Sequence, residues 1–99
     1  MRRFYFDLVE GNQVLVDFEG QFLTDIAAAR EAAVRTIRDL LGEAARRGLI
    51  SLDGFIRIRG AGAQIAAIVA FSEAVTVVSD CTAQSEWNAR LRRTIVLAG

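Results

Sequence analysis

Two strand-like hairpins on either side of one long helical stretch constrain the fold of this 99-residue chain more than any other feature. The first hairpin alternates apolar and polar residues from Arg3 to Glu10, turns at Gly11-Asn12, and continues from Gln13 to Phe18. A Gly-Asn pair between two alternating runs is a strong short-range signal for a tight β-hairpin. We therefore expect the chain to begin with two antiparallel strands.

One long helix is predicted over residues 26–47, where apolar residues recur three and four positions apart and form a single stripe. Thr24 or Asp25 can cap its first turn, and Gly48 can end it in the left-handed conformation. The stripe comprises Ile26, Ala29, Ala33, Ile37, Leu40, Leu41 and Ala44. We expect this stripe to face the core, with Leu40 inside it.

The second half of the chain repeats the hairpin pattern. Residues 55–59 alternate strictly, residues 60–63 form a glycine-rich connection, and residues 64–71 return as a strand that is apolar on both faces. Because continuous apolar runs are typical of strands buried on both faces, we expect this return strand to be central in the sheet. A short turn is predicted over residues 72–74, and a further strand over residues 75–78.

The order β-β-α-β-β predicts a single α+β domain over residues 1–78. In it, a mostly antiparallel sheet of about four strands carries the long helix on one face. Residues 79–99 form a C-terminal extension in which Ala83, Trp87, Leu91 and Ile95 recur every four positions. This spacing predicts a second helix over residues 84–93 that docks through Trp87.

Several short motifs lie within roughly the first 75 residues: Arg3-Phe4-Tyr5-Phe6, Glu10-Gly11, Asp17-Phe18-Glu19-Gly20, Asp25-Ile26-Ala27-Ala28-Ala29-Arg30, Leu52-Asp53-Gly54 and Phe71-Ser72-Glu73-Ala74. Together they resemble a family of short, uncharacterised bacterial proteins classed as a domain of unknown function. The chain departs from the family pattern at Asp7, a position where many members have histidine. The resemblance implies the fold and a bacterial origin, and it implies no activity because the family has none assigned.

The composition lacks most of the groups that catalysis requires. The chain has no histidine, the commonest general base and metal ligand, and its single cysteine, Cys81, has no histidine to generate a thiolate. The connection at residues 60–62 joins two strands and does not open a helix, which a phosphate-binding loop would do. We therefore predict a protein that is not an enzyme and that needs no cofactor or metal.

Asp7 and Asp17 form the one pair that suggests acid–base or metal chemistry. With a three-residue loop in the first hairpin the two carboxylates would face each other, and they would then share a proton or hold a divalent cation. With a two-residue loop they would lie on opposite faces of the sheet. Because like charges opposite each other are unfavourable, we favour solvated or arginine-paired carboxylates.

The hairpin register also determines which apolar residues share a face. Under the two-residue loop both faces of the first hairpin are apolar, and one helix can cover only one of them. The other face then needs the C-terminal helix, a second subunit or a protein partner. We predict a homo-oligomer, a dimer or larger, and we expect the interface to include Tyr5, Val9, Val14, Val16, Phe18 and Trp87.

Charge and hydropathy bear on the other classes of partner. Twelve basic residues, all arginine, balance twelve acidic ones, so the chain as a whole does not attract nucleic acid or anionic lipid. Arginines near an aromatic residue leave a second function open, a nucleic-acid-binding accessory protein that would use Arg57, Arg59, Arg90, Arg92 and Arg93. No apolar run is long enough to span a bilayer, and the lone cysteine fits a reducing compartment. We expect a cytoplasmic protein with no membrane partner.

Overall fold

A computed structural model describes residues 1–79 as an α+β fold with a five-stranded antiparallel sheet and one long helix. The strands are β1 Arg2–Glu10, β2 Gln13–Leu15, β3 Gln21–Leu23, β4 Gly54–Arg59 and β5 Ile65–Ala70, and the helices are α1 Ile26–Arg47 and α2 Phe71–Ala74. The predicted fold class is confirmed, with one strand more than expected. The predicted C-terminal helix and its Trp87 lie outside the described residues.

The first hairpin adopts the two-residue loop. Leu8 pairs with Leu15 and Glu10 with Gln13, so that Gly11 and Asn12 alone form the turn. Gly11 has a φ of +55°, which glycine adopts without strain. The register left open by the sequence is therefore the one that makes both faces of the hairpin apolar.

A bulge separates β2 from β3 along the same edge of β1. The partner chain takes six steps from Leu15 to Gln21, while β1 takes four from Leu8 to Phe4, so two extra residues are accommodated between the two ladders. The first hairpin strand consequently ends at Leu15 and not at Phe18 as expected. Residues 16–20 leave the ladder as the bulge, and residues 21–23 rejoin it as β3.

The strand order is β2-β1-β4-β5, with β3 also paired to β1, so β1 and β4 are the central strands. The expectation that the return strand is central is wrong, because β5 pairs with β4 on one side and with no other described strand. Its apolar residues lie on an exposed face as well as on the buried face. Ile65 and Ile68 are 57% and 47% exposed, whereas Val69 lies in the core.

Helix α1 covers one face of the sheet. The Asp25 side chain accepts a hydrogen bond of 2.9 Å from the Ala28 amide at its start, and Gly48, with a φ of +88°, ends it. Leu40 packs against the core from a half-buried position, so its expected place inside the core is corrected to its margin. The core comprises Phe4, Ala29, Ala33, Ile37, Leu41, Ile56, Ile58, Ala67, Val69, Phe71 and Ala74. No helix within residues 1–79 is both long and apolar enough to cross a bilayer.

Residues 71–79 differ from the predicted turn and strand. Phe71–Ala74 form the single helical turn α2, and the Ala74 carbonyl accepts a hydrogen bond of 2.8 Å from Arg38 Nε on α1. The Phe71 ring packs directly over Gly54, where any Cβ would come within 2.5 Å of the ring. Residues 75–79 form no strand.

The helix face that points inwards can be tested by substitution. Ile37→Ala is expected to lower the free energy of unfolding by about 2–5 kcal/mol, because it removes fully buried volume and leaves a cavity. Leu40→Ala should cost less, since the half-buried side chain is partly in water already. Urea unfolding followed by circular dichroism measures both losses, and equal losses would contradict this orientation of α1.

Candidate functional site

Among residues 1–79, Asp7 is the one charged residue that is fully buried, with 0% of its surface exposed. Side chains alternate along β1, so the inward position of Phe4 and the packing of Phe6 and Leu8 against the core direct Asp7 to the face opposite α1. A buried carboxylate is costly unless charged or polar groups pair with it. The partners of Asp7 therefore define the site.

Two arginines of β4 cover Asp7. The sheet register places Arg57 directly opposite Asp7, and Arg59 follows two residues later on the same face. Arg57 donates from Nε to Asp7 Oδ2 at 3.1 Å, and its Nη2 lies 3.0 Å from the same oxygen. Arg59 donates from Nε to Oδ2 at 2.7 Å and from Nη2 to Oδ1 at 3.1 Å. This two-point contact is the geometry in which a planar guanidinium matches a carboxylate.

The bulge completes the cluster through the backbone of Asp17. Its amide donates to Asp7 Oδ1 at 3.0 Å, and its carbonyl accepts from Arg59 Nη2 at 3.0 Å. The Asp7 carboxylate thus holds together three segments that are distant in sequence: β1, β4 and the bulge. We call Asp7, Asp17, Arg57 and Arg59 the ionic cluster.

The carboxylate of Asp17 has a separate role at the edge of the sheet. Its Oδ2 accepts a hydrogen bond of 3.0 Å from the Phe6 amide of β1, and its Oδ1 accepts bonds of 3.1 Å from the amides of Glu19 and Gly20. Gly20 has a φ of +69°, and a Cβ there would lie 2.8 Å from the Phe4 carbonyl oxygen. The Asp17 side chain therefore supplies acceptors at the point where the strand ladder is interrupted.

Hydrogen bonding keeps both carboxylates ionised. Burial raises the pKa of Asp7, but the hydrogen bonds from Arg59, from the Asp17 amide and from Arg57 outweigh burial and bring that pKa below its ordinary value. Burial likewise raises the pKa of Asp17, and its backbone hydrogen bonds lower it further than burial raises it. The hydrogen bond to Asp7 in turn raises the pKa of Arg59.

The ionic cluster lies on the sheet face that no described helix covers, which we call the open face. Residues paired across strands point to the same side of a sheet, so the register identifies the members of this face. They are Arg3, Tyr5, Asp7, Val9, Val14, Phe22, Phe55, Arg57, Arg59, Ile65, Ile68 and Ala70.

The family model for a domain of unknown function, DUF6894, matches residues 3–72. The chain belongs to this family. The match confirms the resemblance seen in the sequence and spans all four residues of the ionic cluster. No curated protein and no solved structure matches the chain at a significant level.

In this DUF6894 domain, the arginine-paired interpretation of Asp7 is the one that the structure shows. The expectation that a two-residue loop separates Asp7 from Asp17 is wrong, because Asp17 has left the strand for the bulge and no longer follows the alternation of the hairpin. Within residues 1–79, no three His, Cys, Asp or Glu side chains are grouped in a way that would hold a metal ion.

Of the six residues predicted to form an interface, all but Trp87, which lies outside the described residues, are on β1, on β2 or in the bulge. Tyr5 and Val9 are half-buried on β1, and Val14, opposite Val9, is 52% exposed. Val16 and Phe18 are exposed in the bulge. Of the arginines predicted to contact nucleic acid, Arg90, Arg92 and Arg93 lie outside the described residues.

Arg57 and Arg59, the other two arginines of that prediction, have side chains that are 30% and 20% exposed and that donate to Asp7. Sequence reasoning missed the apolar neighbours that β4 and β5 contribute to the open face. Phe55 pairs with Val9, and Ile68 pairs with Arg57. The position of Phe55 could have been predicted from the strict alternation of residues 55–59, since this alternation places Phe55 on the same face as the two arginines.

The contribution of the ionic cluster to stability can be measured at neutral pH. Asp7→Asn is expected to lower the free energy of unfolding by about 3–5 kcal/mol, because two half-buried arginines would lose the buried charge that they contact. Urea unfolding at pH 7 checks this value. The control is Asp39→Asn, which changes an exposed carboxylate on α1 and should cost far less.

The same variants test the pH dependence of stability. Because the pKa of Asp7 and of Asp17 is lower in the folded than in the unfolded chain, the unfolded state takes up protons first as the pH falls. The contribution of these carboxylates is complete at neutral pH, declines below about pH 4, and is lost once the pH passes the folded-state values. The stability of Asp7→Asn should therefore fall less steeply with acid than that of the wild type, whereas Asp39→Asn should keep the wild-type slope.

Proposed function

We propose that this DUF6894 domain is a non-enzymatic interaction module that associates with itself through the open face of its sheet. The observation that carries the proposal is the exposure of large apolar side chains on that face. Val14, Ile65 and Ile68 are 52%, 57% and 47% exposed, and no described helix covers them. Apolar surface of this kind on one sheet face is typical of a contact site.

The charges of the open face are compatible with burial against a second copy. In the ionic cluster two arginines face two aspartates, so its formal charges balance. Both oxygens of Asp7 accept hydrogen bonds within the domain, and the half-buried Phe55 and Val9 lie on one side of the cluster. A paired cluster surrounded by apolar residues can be covered at a lower desolvation cost than isolated charges.

The same hydrogen bonds support a function without catalysis. A general acid or base must reach a substrate proton, and its pKa must lie near the working pH. Asp7 has no exposed surface, and its pKa is lowered, away from neutrality. These features favour a structural role for the most unusual side chain of the site.

Nucleic-acid binding, the other function expected from the sequence, has weaker support. Arg57 and Arg59 direct their Nε donors at Asp7, so a phosphate would compete with a buried carboxylate for the same guanidinium groups. The balanced net charge gives no long-range attraction to a polyanion. Salt-dependent binding of a mixed DNA and RNA pool would favour this alternative instead.

Self-association can be tested by sedimentation velocity of the whole chain at concentrations of about 1 to 100 µM, the range in which modest interfaces dissociate. We expect a dimer or larger species above the 10.8 kDa of one chain. Val14→Glu and Ile68→Glu, at opposite ends of the open face, should show which end carries the contact, because each puts a charge into an apolar surface. Leu49→Glu, which alters an exposed apolar residue after α1, should change nothing.

A single 10.8 kDa species at every concentration would contradict the proposed function. An oligomer that neither open-face variant weakens would place the contact on another surface.

A further inference from the structure

We infer that β5 pairs edge to edge with β5 of a second copy, which joins two five-stranded sheets into one continuous sheet across a twofold axis. The inference rests on the proposed self-association and assigns its contact to the β5 edge, where Ile68 at the margin of the open face meets Ile68 of the second copy. Four observations on residues 1–79 lead to it: the outer position of β5 in the sheet, the lack of charges and prolines in this strand, its self-complementary alternation, and the distance between like charges in the joined sheet.

The outer edge of β5 can accept another strand. β5 is hydrogen-bonded to β4 on one side, and no other strand among residues 1–79 pairs with it. An outer strand presents a row of backbone N–H and C=O groups, and another strand satisfies them in register. The pairs from Ile58–Ala67 to Phe55–Ala70 are regular, so most of β5 is straight enough to be extended by a neighbour.

The regular part of β5, residues 67–70, has no protection against such pairing, and the one register shift lies at the start of the strand, between the Arg59–Ile65 and Ile58–Ala67 pairs. Ile65–Ala70 reads Ile-Ala-Ala-Ile-Val-Ala, with neither a charge nor a proline. Natural edge strands are usually blunted by charges, prolines, bulges or short length. The opposite edge has two of these devices, since β2 and β3 are three residues each and the bulge held by Asp17 separates them.

The alternation of β5 matches an antiparallel copy of itself. Ala67 and Val69 are buried under α1, and Ile68 lies on the open face. When Ile68 is aligned with Ile68 of the second copy, Ala67 lies opposite Val69 at both ends. Core-facing residues then meet core-facing residues, and open-face residues meet open-face residues.

The electrostatics of this register are favourable. Arg57 is the neighbour of Ile68 in each copy, so the two Arg57 residues are three strand spacings apart, about 14 Å. That separation exceeds the Debye length of about 8 Å at physiological salt, and each Arg57 is already paired with Asp7. No like charges meet at the axis.

A second copy also closes the assembly. A twofold contact uses the β5 edge of both subunits, so no exposed β5 edge is left over. The outer edges of the joined sheet are then the short and bulged β2–β3 edges of each subunit. A foreign strand on β5 would lack this closure, and for that reason we assign the edge to a second copy of this chain.

Disulfide trapping tests the pairing. Ile68→Cys, made in a Cys81→Ser background, should form a covalent dimer under mild oxidation, because opposed residues of antiparallel strands have Cα atoms about 4.5–5.5 Å apart, within disulfide range. Val14→Cys in the same background is the matched control, since Val14 has similar exposure on the same face but lies at the other edge. Its cross-linking should be at least tenfold slower.

Hydrogen exchange of the wild type provides a measurement that needs no variant. The amides of β5 should become at least tenfold better protected at concentrations where the dimer forms, and those of β3 should not change. Sedimentation of the same samples reports the oligomeric state independently.

The outcomes separate the two claims. A dimer in sedimentation whose Ile68→Cys variant does not cross-link overturns edge pairing and leaves self-association standing, as expected if two sheets packed face to face about 10 Å apart. Equal cross-linking of Ile68→Cys and Val14→Cys indicates random collision and also overturns the pairing. A monomer without cross-linking overturns both claims.

Discussion

The contact between the Asp7 carboxylate and the guanidinium groups of Arg57 and Arg59 is the interaction on which the rest of this sheet depends. It links the two central strands on the face that α1 leaves uncovered, where no apolar core can do so. The hydrophobic core on the other face orients the helix and the sheet. On the open face, the Asp7 carboxylate holds the strands in register. It can do so because it accepts hydrogen bonds from two arginines of β4 and from the Asp17 amide of the bulge.

The bulge and the ionic cluster depend on each other. The two extra residues between β2 and β3 bring the Asp17 backbone over Asp7, and Asp17 also supplies the acceptors that the interrupted ladder lacks. The result is an asymmetric sheet. One edge is short, irregular and held by polar contacts, and the other, β5, is apolar and regularly paired from Ala67 to Ala70. This asymmetry is the physical basis for assigning self-association to one edge of the domain and not to both.

Local signals predicted the local structure well. Gly11-Asn12 gave the hairpin turn, and Asp25 and Gly48 gave both ends of α1, since a tight turn and a helix cap depend on a few adjacent residues. The strand β3, the bulge and the edge position of β5 could not be read in this way, because they depend on pairing between residues far apart in the chain. The ionic cluster was predictable in part. Arginine pairing of Asp7 was expected from its chemistry, but which arginines pair with it follows from the register of β1 on β4.

The separation of these partners along the chain has a consequence for folding kinetics. Asp7 lies 50 residues from Arg57 and 52 from Arg59, whereas the first hairpin and α1 are built from neighbours in sequence. Contacts between distant residues form late, because the entropy of closing a long loop is lost before the contact is gained. The Asp7 carboxylate must therefore keep its water until β4 arrives. Its dehydration is coupled to the docking of β4 on β1, so closing this long loop also buries the interior charge.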